Sequence, residues 1–128
     1  FDTCFPGWYS GRTVHIHLTV RIGDQSYLTT QLFFDDALND DILTTQALYD
    51  SHGTRDTTNQ TDTVIAASAA PDYSFQTQRM ADGALLAWKT LVIRLSTSEA
   101  SCSVPAGSSG TMMGGGSGMP GGGPPPQN

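Results

Sequence analysis

The sequence predicts a mainly β protein, an antiparallel β-sandwich or a part of one, on three observations. The run from Thr13 to Ile22 alternates apolar and polar residues with period two. A second run rich in Thr, Leu and aromatic residues follows after a two-residue Gly-Asp interval, and a strand, turn, strand pattern returns between residues 73 and 96. Side chains on a strand point alternately to opposite faces, so such runs half-bury as sheets and not as helices. Sheets with one apolar face bury it by packing on another layer. Composition agrees: 128 residues is a single-domain length. Hydrophobic residues make up 38% and charged residues 14%, and the polar remainder is mostly Thr, Ser, Gly, Gln and Asn, a profile common among exported β-rich proteins.

The elements follow in order. The chain starts at Phe1 without a methionine, inside what reads as a strand and a turn, "FDTCFPGWYSG", so an upstream portion is expected to be removed or missing. The first complete strand is expected at about 13–22. Val14, Ile16, Leu18, Val20 and Ile22 share one face, and Thr13, His15, His17, Thr19 and Arg21 share the other. Gly23-Asp24 is a hairpin turn signal, leading into a second strand, "QSYLTTQLFF", at 25–34. "DDALNDDILTTQALY", 35–49, spaces its apolar residues for one or two short helical turns with acidic starts. Residues 51–63 read as a polar loop. "YSFQTQRMADGALLAWKTLVIRLS" then reads as strand, Ala-Asp-Gly turn, strand, with Ala84 to Leu95 the stronger half. The Gly, Pro and Ser-rich stretch 103–128 cannot bury enough apolar surface to offset the entropy of ordering, so it is expected to be a flexible tail behind a folded portion at 1–102.

Several function classes are set aside by charge and hydropathy. A net charge of −6 offers no basic patch to neutralise phosphates, which argues against nucleic acid. No apolar run approaches the roughly 20 residues of a membrane span. Self-association stays open.

The chemistry-bearing residues gather in "WYSGRTVHIHLTV". Two residues apart on one face of a strand, His15 and His17 have Cβ atoms roughly 6–7 Å apart, close enough to share one metal ion. Spacing alone also fits two surface or structural histidines. Trp8 and Tyr9 after Pro6-Gly7 fit a turn with packed aromatics, and Arg12 fits a solvated charge. His52 has nothing at ligand spacing and reads as structural. Asp35, Asp36, Asp40 and Asp41 lack the alternating oxygen donors and central glycine of a calcium loop, and read as helix-start acids. Asn59-Gln60-Thr61 fits an N-glycosylation acceptor. Cys4 and Cys102, one at each end of the expected folded portion, suggest a disulfide.

Taken together, "PGWYSGRTVHIH" and "LTTQLFFDDALNDD" resemble the intradiol ring-cleavage dioxygenases, non-haem ferric enzymes that open catechols between the hydroxyl-bearing carbons. In that family a Tyr, an Arg and a His-x-His pair occur in this order, and the next strand carries Leu-Thr-Thr-Gln-Leu followed by aromatics. The resemblance runs from Phe1 to about Leu95 and is strongest through residue 41. It implies Fe(III) held by Tyr9, His15 and His17, with Arg12 stabilising negative charge on the substrate ring and Gln31 lining the site. The family's other tyrosine ligand lies some tens of residues upstream of Tyr9, and Tyr27, Tyr49 and Tyr73 do not sit in its sequence surroundings. The implied reaction takes a catechol and O2 to a cis,cis-muconate-type diacid, with Tyr9 displaced from the metal and taking up a substrate proton. The donor chemistry agrees: phenolate is a hard anionic oxygen that suits Fe(III), and neutral imidazole binds mid-row metals generally. Short Tyr-to-His spacing resembles the compact, often secreted branch. Two other readings stand beside it: a non-catalytic sandwich serving binding or surface assembly, and a structural zinc domain on His15 and His17.

Overall fold

A computed structural model describes residues 1–100. Cys102 and the expected tail at 103–128 lie outside the described residues, and so does any pairing of Cys4, which is exposed. Within those residues the fold is mainly strands in antiparallel sheets with few helices. No helix is long and apolar enough to cross a membrane.

Strands β1 (His15–Ile22) and β2 (Gln25–Phe33) form the expected hairpin. Gly23 at φ 58° takes the left-handed conformation that so tight a connection demands. The register sets His15 opposite Phe33 and His17 opposite Gln31. It slips by one residue near the turn, where Val20 faces Leu28 but Arg21 faces Ser26, a bulge that leaves Tyr27 as the extra residue. Helix α1 (Asp36–Thr45) follows at once. Asp35 caps it by accepting from the Ala37 and Leu38 amides, which is the expected helix-start role. Asp40 and Asp41 depart from that expectation: they lie in the second turn and bind arginines. Asp40 and Asp36 hold Arg55 at 2.6 and 2.7 Å, and Asp41 pairs with Arg79.

The β1–β2 hairpin is buried on both faces at the end where β2 runs into α1. On one face Val14, Phe34 and Leu43 form a cluster with Ile16, Leu38 and Phe75 packed against it. On the other, Phe33 packs with Ile65, Ala69 and Tyr73 from the segment after α1. The polar loop expected at 51–63 is tied to the end of β2 through the Asn59 amide, which donates to the Phe34 carbonyl at 2.8 Å, and further along the Phe75 N–H donates to the Phe33 carbonyl at 2.9 Å.

β3 (Gln76–Arg79) and β4 (Leu85–Trp88) form the second hairpin through the expected Ala81-Asp82-Gly83 turn. The strand expected to continue to Leu95 stops at Trp88. Residues 89–95 keep the alternating pattern but have no ladder partner among the described residues, and Val92 and Leu95 are almost wholly exposed. Alternation makes a strand only where a neighbour takes its hydrogen bonds.

Candidate metal centre

Three donors from one short stretch meet at the open edge of β1. A tight turn closes Tyr9 onto Arg12, with the Arg12 N–H donating to the Tyr9 carbonyl at 3.3 Å and Gly11 at φ 82°. The turn brings the Tyr9 side chain back beside the strand it precedes. Tyr9 Oη lies 3.1 Å from His15 Nε2, and His15 Nε2 lies 3.1 Å from His17 Nε2. Two donors about 2.0–2.1 Å from a shared ion at angles of 90–109° stand roughly 2.9–3.4 Å apart, so these separations fit a shared ion.

The tautomer of His15 follows from its other nitrogen. Nδ1 is 2.6 Å from the Thr13 carbonyl, which can only accept, so Nδ1 carries the proton and Nε2 keeps its lone pair. That single lone pair has both Tyr9 and His17 at hydrogen-bond distance. It cannot serve two donors well, whereas a cation beside His15 Nε2 would relieve that competition. Burial pushes the pKa of His15 below its ordinary 6.5, opposed by the Thr13 bond and reinforced by the Arg12 charge and His17. Neutral imidazole is the ligating form. His15 is buried, while His17 and Tyr9 are exposed, Tyr9 by 52%. The set therefore faces solvent on one side and packed protein on the other.

Arg12 and Gln31 are bonded to each other beside these groups. Arg12 is not a solvated charge: its Nε donates to Asp62 at 3.1 Å, its Nη2 donates to the Gln31 carbonyl oxygen, and its side chain is 12% exposed. Nη1 lies outside these bonds. Gln31 reaches Arg12 because it sits opposite His17, on the face of the hairpin that carries both histidines.

Sequence reasoning missed Asp62, Asn59 and Thr57, all buried. The Asp62 carboxylate accepts from the amides of Thr13 at 2.7 Å, Val64 at 2.8 Å and Ile65 at 3.0 Å, besides Arg12. Burial raises its pKa, but the Ile65, Thr13 and Val64 amides and Arg12 outweigh that and hold it below 3.8. Asn59 accepts from the Thr13 hydroxyl at 2.7 Å. With both ends of its amide engaged and its side chain buried, Asn59 is a structural anchor in this fold and not an exposed glycosylation acceptor. One local signal was available: Asp followed by Thr-Val-Ile is a side chain placed to bond the amides two and three residues on, just before an apolar pair.

His52 has the structural role expected of it. It donates from Nε2 to the Trp8 carbonyl at 3.2 Å, while the Trp8 indole donates to the Gly53 carbonyl at 3.1 Å. Among the described residues no three His, Cys, Asp or Glu side chains cluster, and the phenol of Tyr9 is the group at hydrogen-bond distance from His15 besides His17. The larger cavity, about 640 Å³, lies between β2 and residues 89–94 and is not lined by any of the three donors. A smaller one, about 180 Å³, is lined by Thr29, Gln31, Phe33, Val64, Ile65 and Tyr73. It too lacks Tyr9, His15 and His17, but Thr29, Gln31 and Phe33 belong to the face that carries the histidines. Compared with known protein families, curated proteins and solved structures, the chain shows no match.

Proposed function

We propose that this chain carries the iron site of a secreted, non-haem ferric intradiol ring-cleavage dioxygenase, built on an antiparallel β-sandwich to which the two hairpins belong. One observation carries the reading: Tyr9 Oη and His17 Nε2 each lie 3.1 Å from His15 Nε2. The phenol distinguishes this set from zinc sites, whose usual donors are thiolate, imidazole and carboxylate.

Ferric iron, when bound, supplies the Lewis acidity that draws electron density out of a bound catecholate and opens its ring to O2. The residues supply the rest. His15 and His17 would hold the metal, His15 with its tautomer fixed by Thr13. Tyr9, on the exposed side of the set, would be the phenol best placed to accept a hydroxyl proton from a catechol. Arg12 brings a guanidinium beside the ligands to stabilise negative charge on the ring. Gln31 and Phe33 also line the smaller, open hollow of about 180 Å³ beside the face that carries the histidines.

The test is product formation by the full-length protein loaded with ferric iron, given catechol and O2. A cis,cis-muconate-type diacid, with oxygen consumed in step with catechol, is the expected result. Tyr9 and His17 stand open to solvent, which favours a second reading, a binding or surface-assembly module that keeps the metal motif. Tight iron binding with no ring cleavage would establish that alternative, and stoichiometric zinc in the isolated protein would establish a structural metal site.

A further inference from the structure

We propose that Asp62 is a positioning residue that sets two groups of the site at once, the Arg12 guanidinium through an ion pair and the His15 tautomer through the Thr13 peptide. The assignment rests on the iron-site reading for its catalytic consequence, but its geometric half stands alone.

Asp62 is fully buried, with a side-chain exposure of 0%. Three backbone amides alone do not require a charge there, and burying a carboxylate is expensive unless a cation answers it. The cation is Arg12, 50 residues away in sequence. The carboxylate oxygen that takes Arg12 Nε at 3.1 Å also takes the Thr13 N–H at 2.7 Å. The opposite end of Thr13 is its carbonyl, which receives His15 Nδ1–H at 2.6 Å. One carboxylate therefore fixes adjacent residues: the side chain of the first, and the backbone of the second. The other carboxylate oxygen is locked by Val64 and Ile65, so Asp62 cannot swing to follow a moving arginine. Arg12 in turn aims Nη2 at Gln31, beside His17. Tautomer and charge are both held before any ligand arrives.

Asp62→Asn removes the charge and keeps the shape. In the metal-free protein, long-range proton–nitrogen NMR of His15 is expected to show Nδ1–H alone in the wild type and a mixture of tautomers in Asp62→Asn. Ferric iron affinity and kcat are each expected to fall about 10- to 100-fold, the usual cost of removing a group that orients a metal ligand. Asn59→Ala serves as the control: it releases the Thr13 hydroxyl and the Phe34 carbonyl but leaves the carboxylate, so it is expected to lower Tm while tautomer and iron affinity stay at wild-type values. Asp62→Glu carries the test if the Asn variant does not fold. It keeps the charge on a longer arm, and is expected to bind iron and lose kcat by roughly 10-fold or more, because displacing a charge by about 1 Å can cost 10²-fold. A wild-type tautomer and affinity in Asp62→Asn, the same losses in Asn59→Ala, or wild-type kcat in Asp62→Glu would each overturn the assignment. Should the wild type bind no iron at all, the functional reading fails while the tautomer comparison still decides this one.

Discussion

Trp8 and Tyr9 are neighbours in the chain, and each meets a histidine edge to face. The ring centroids are 5.7 Å apart for Trp8 and His52 and 5.6 Å for Tyr9 and His15. By ring geometry the two pairs are almost alike. They differ in where the heteroatoms point. The Trp8 indole and His52 Nε2 each donate to a backbone carbonyl, so the pair ties the N-terminal turn to the segment after α1. Tyr9 Oη and His17 Nε2 each lie 3.1 Å from His15 Nε2, with His15 held from behind by Thr13. An aromatic against a histidine is packing; lone pairs kept clear of the backbone and converging are the mark of a site.

That contrast is sharpest in the histidine variants, which carry the largest expected effect. His15→Ala or His17→Ala removes a donor from the set, and bound iron measured per chain should fall by more than the roughly 10- to 100-fold typical of losing a supporting residue. His52→Ala should leave iron content unchanged. Equal loss in all three would erase the distinction between the two pairs.

Arg12→Ala is next. Iron content should hold, because Arg12 touches no donor atom of the set, while kcat should fall about 10²- to 10³-fold, as when one preorganised charge-stabilising donor is removed. Because Arg12 is already bonded to Asp62 and Gln31, few cations beyond Arg21 stand near the site among the described residues to answer an extra carboxylate on the ring. Catechol should therefore show a higher kcat/KM than protocatechuate.

Acid sensitivity separates the regions more gently. The folded-state pKa of Asp62 lies below its ordinary 3.8, so between the two values the unfolded chain binds more protons than the folded one. Its contribution to stability is complete above about pH 4 and is lost as the pH falls through the depressed folded value. Chemical denaturation across pH 2–5 should show a shallower acid decline in Asp62→Asn than in the wild type. The smallest effect belongs to the structural pair: His52→Ala or Trp8→Phe should each cost about 1 kcal/mol of stability, the net worth of one hydrogen bond, with the iron site intact.

How much of this was legible in the sequence depends on how far apart the partners lie. The β1–β2 hairpin could be read from period-two alternation and Gly23 because both signals are local. The proximity of Tyr9, His15 and His17 could be read because they fall within nine consecutive residues. Asp62 could not, since its partners Arg12 and Thr13 are 50 and 49 residues away and a polar loop gives no sign of what it will fold against. The same distance hid the burial of Asn59, which turns a sequence that looks like a glycosylation site into an anchor for β2. Residues 89–95 erred in the opposite direction. Their apolar run from Leu91 to Ile93 reads as a strand, but a strand is a property of two segments, and only one of them was in view.

The central claim is that Tyr9 is a ligand to ferric iron, and visible absorption tests it most directly. Tyrosinate bound to Fe(III) gives a charge-transfer band that neither a zinc site nor a bare histidine pair possesses. The full-length protein loaded with ferric iron should be coloured, and Tyr9→Phe, which removes only the phenolic oxygen, should shift or weaken the band while the far-ultraviolet circular dichroism stays that of the folded protein. A colourless iron-loaded protein, or a band unchanged by Tyr9→Phe, would contradict the account.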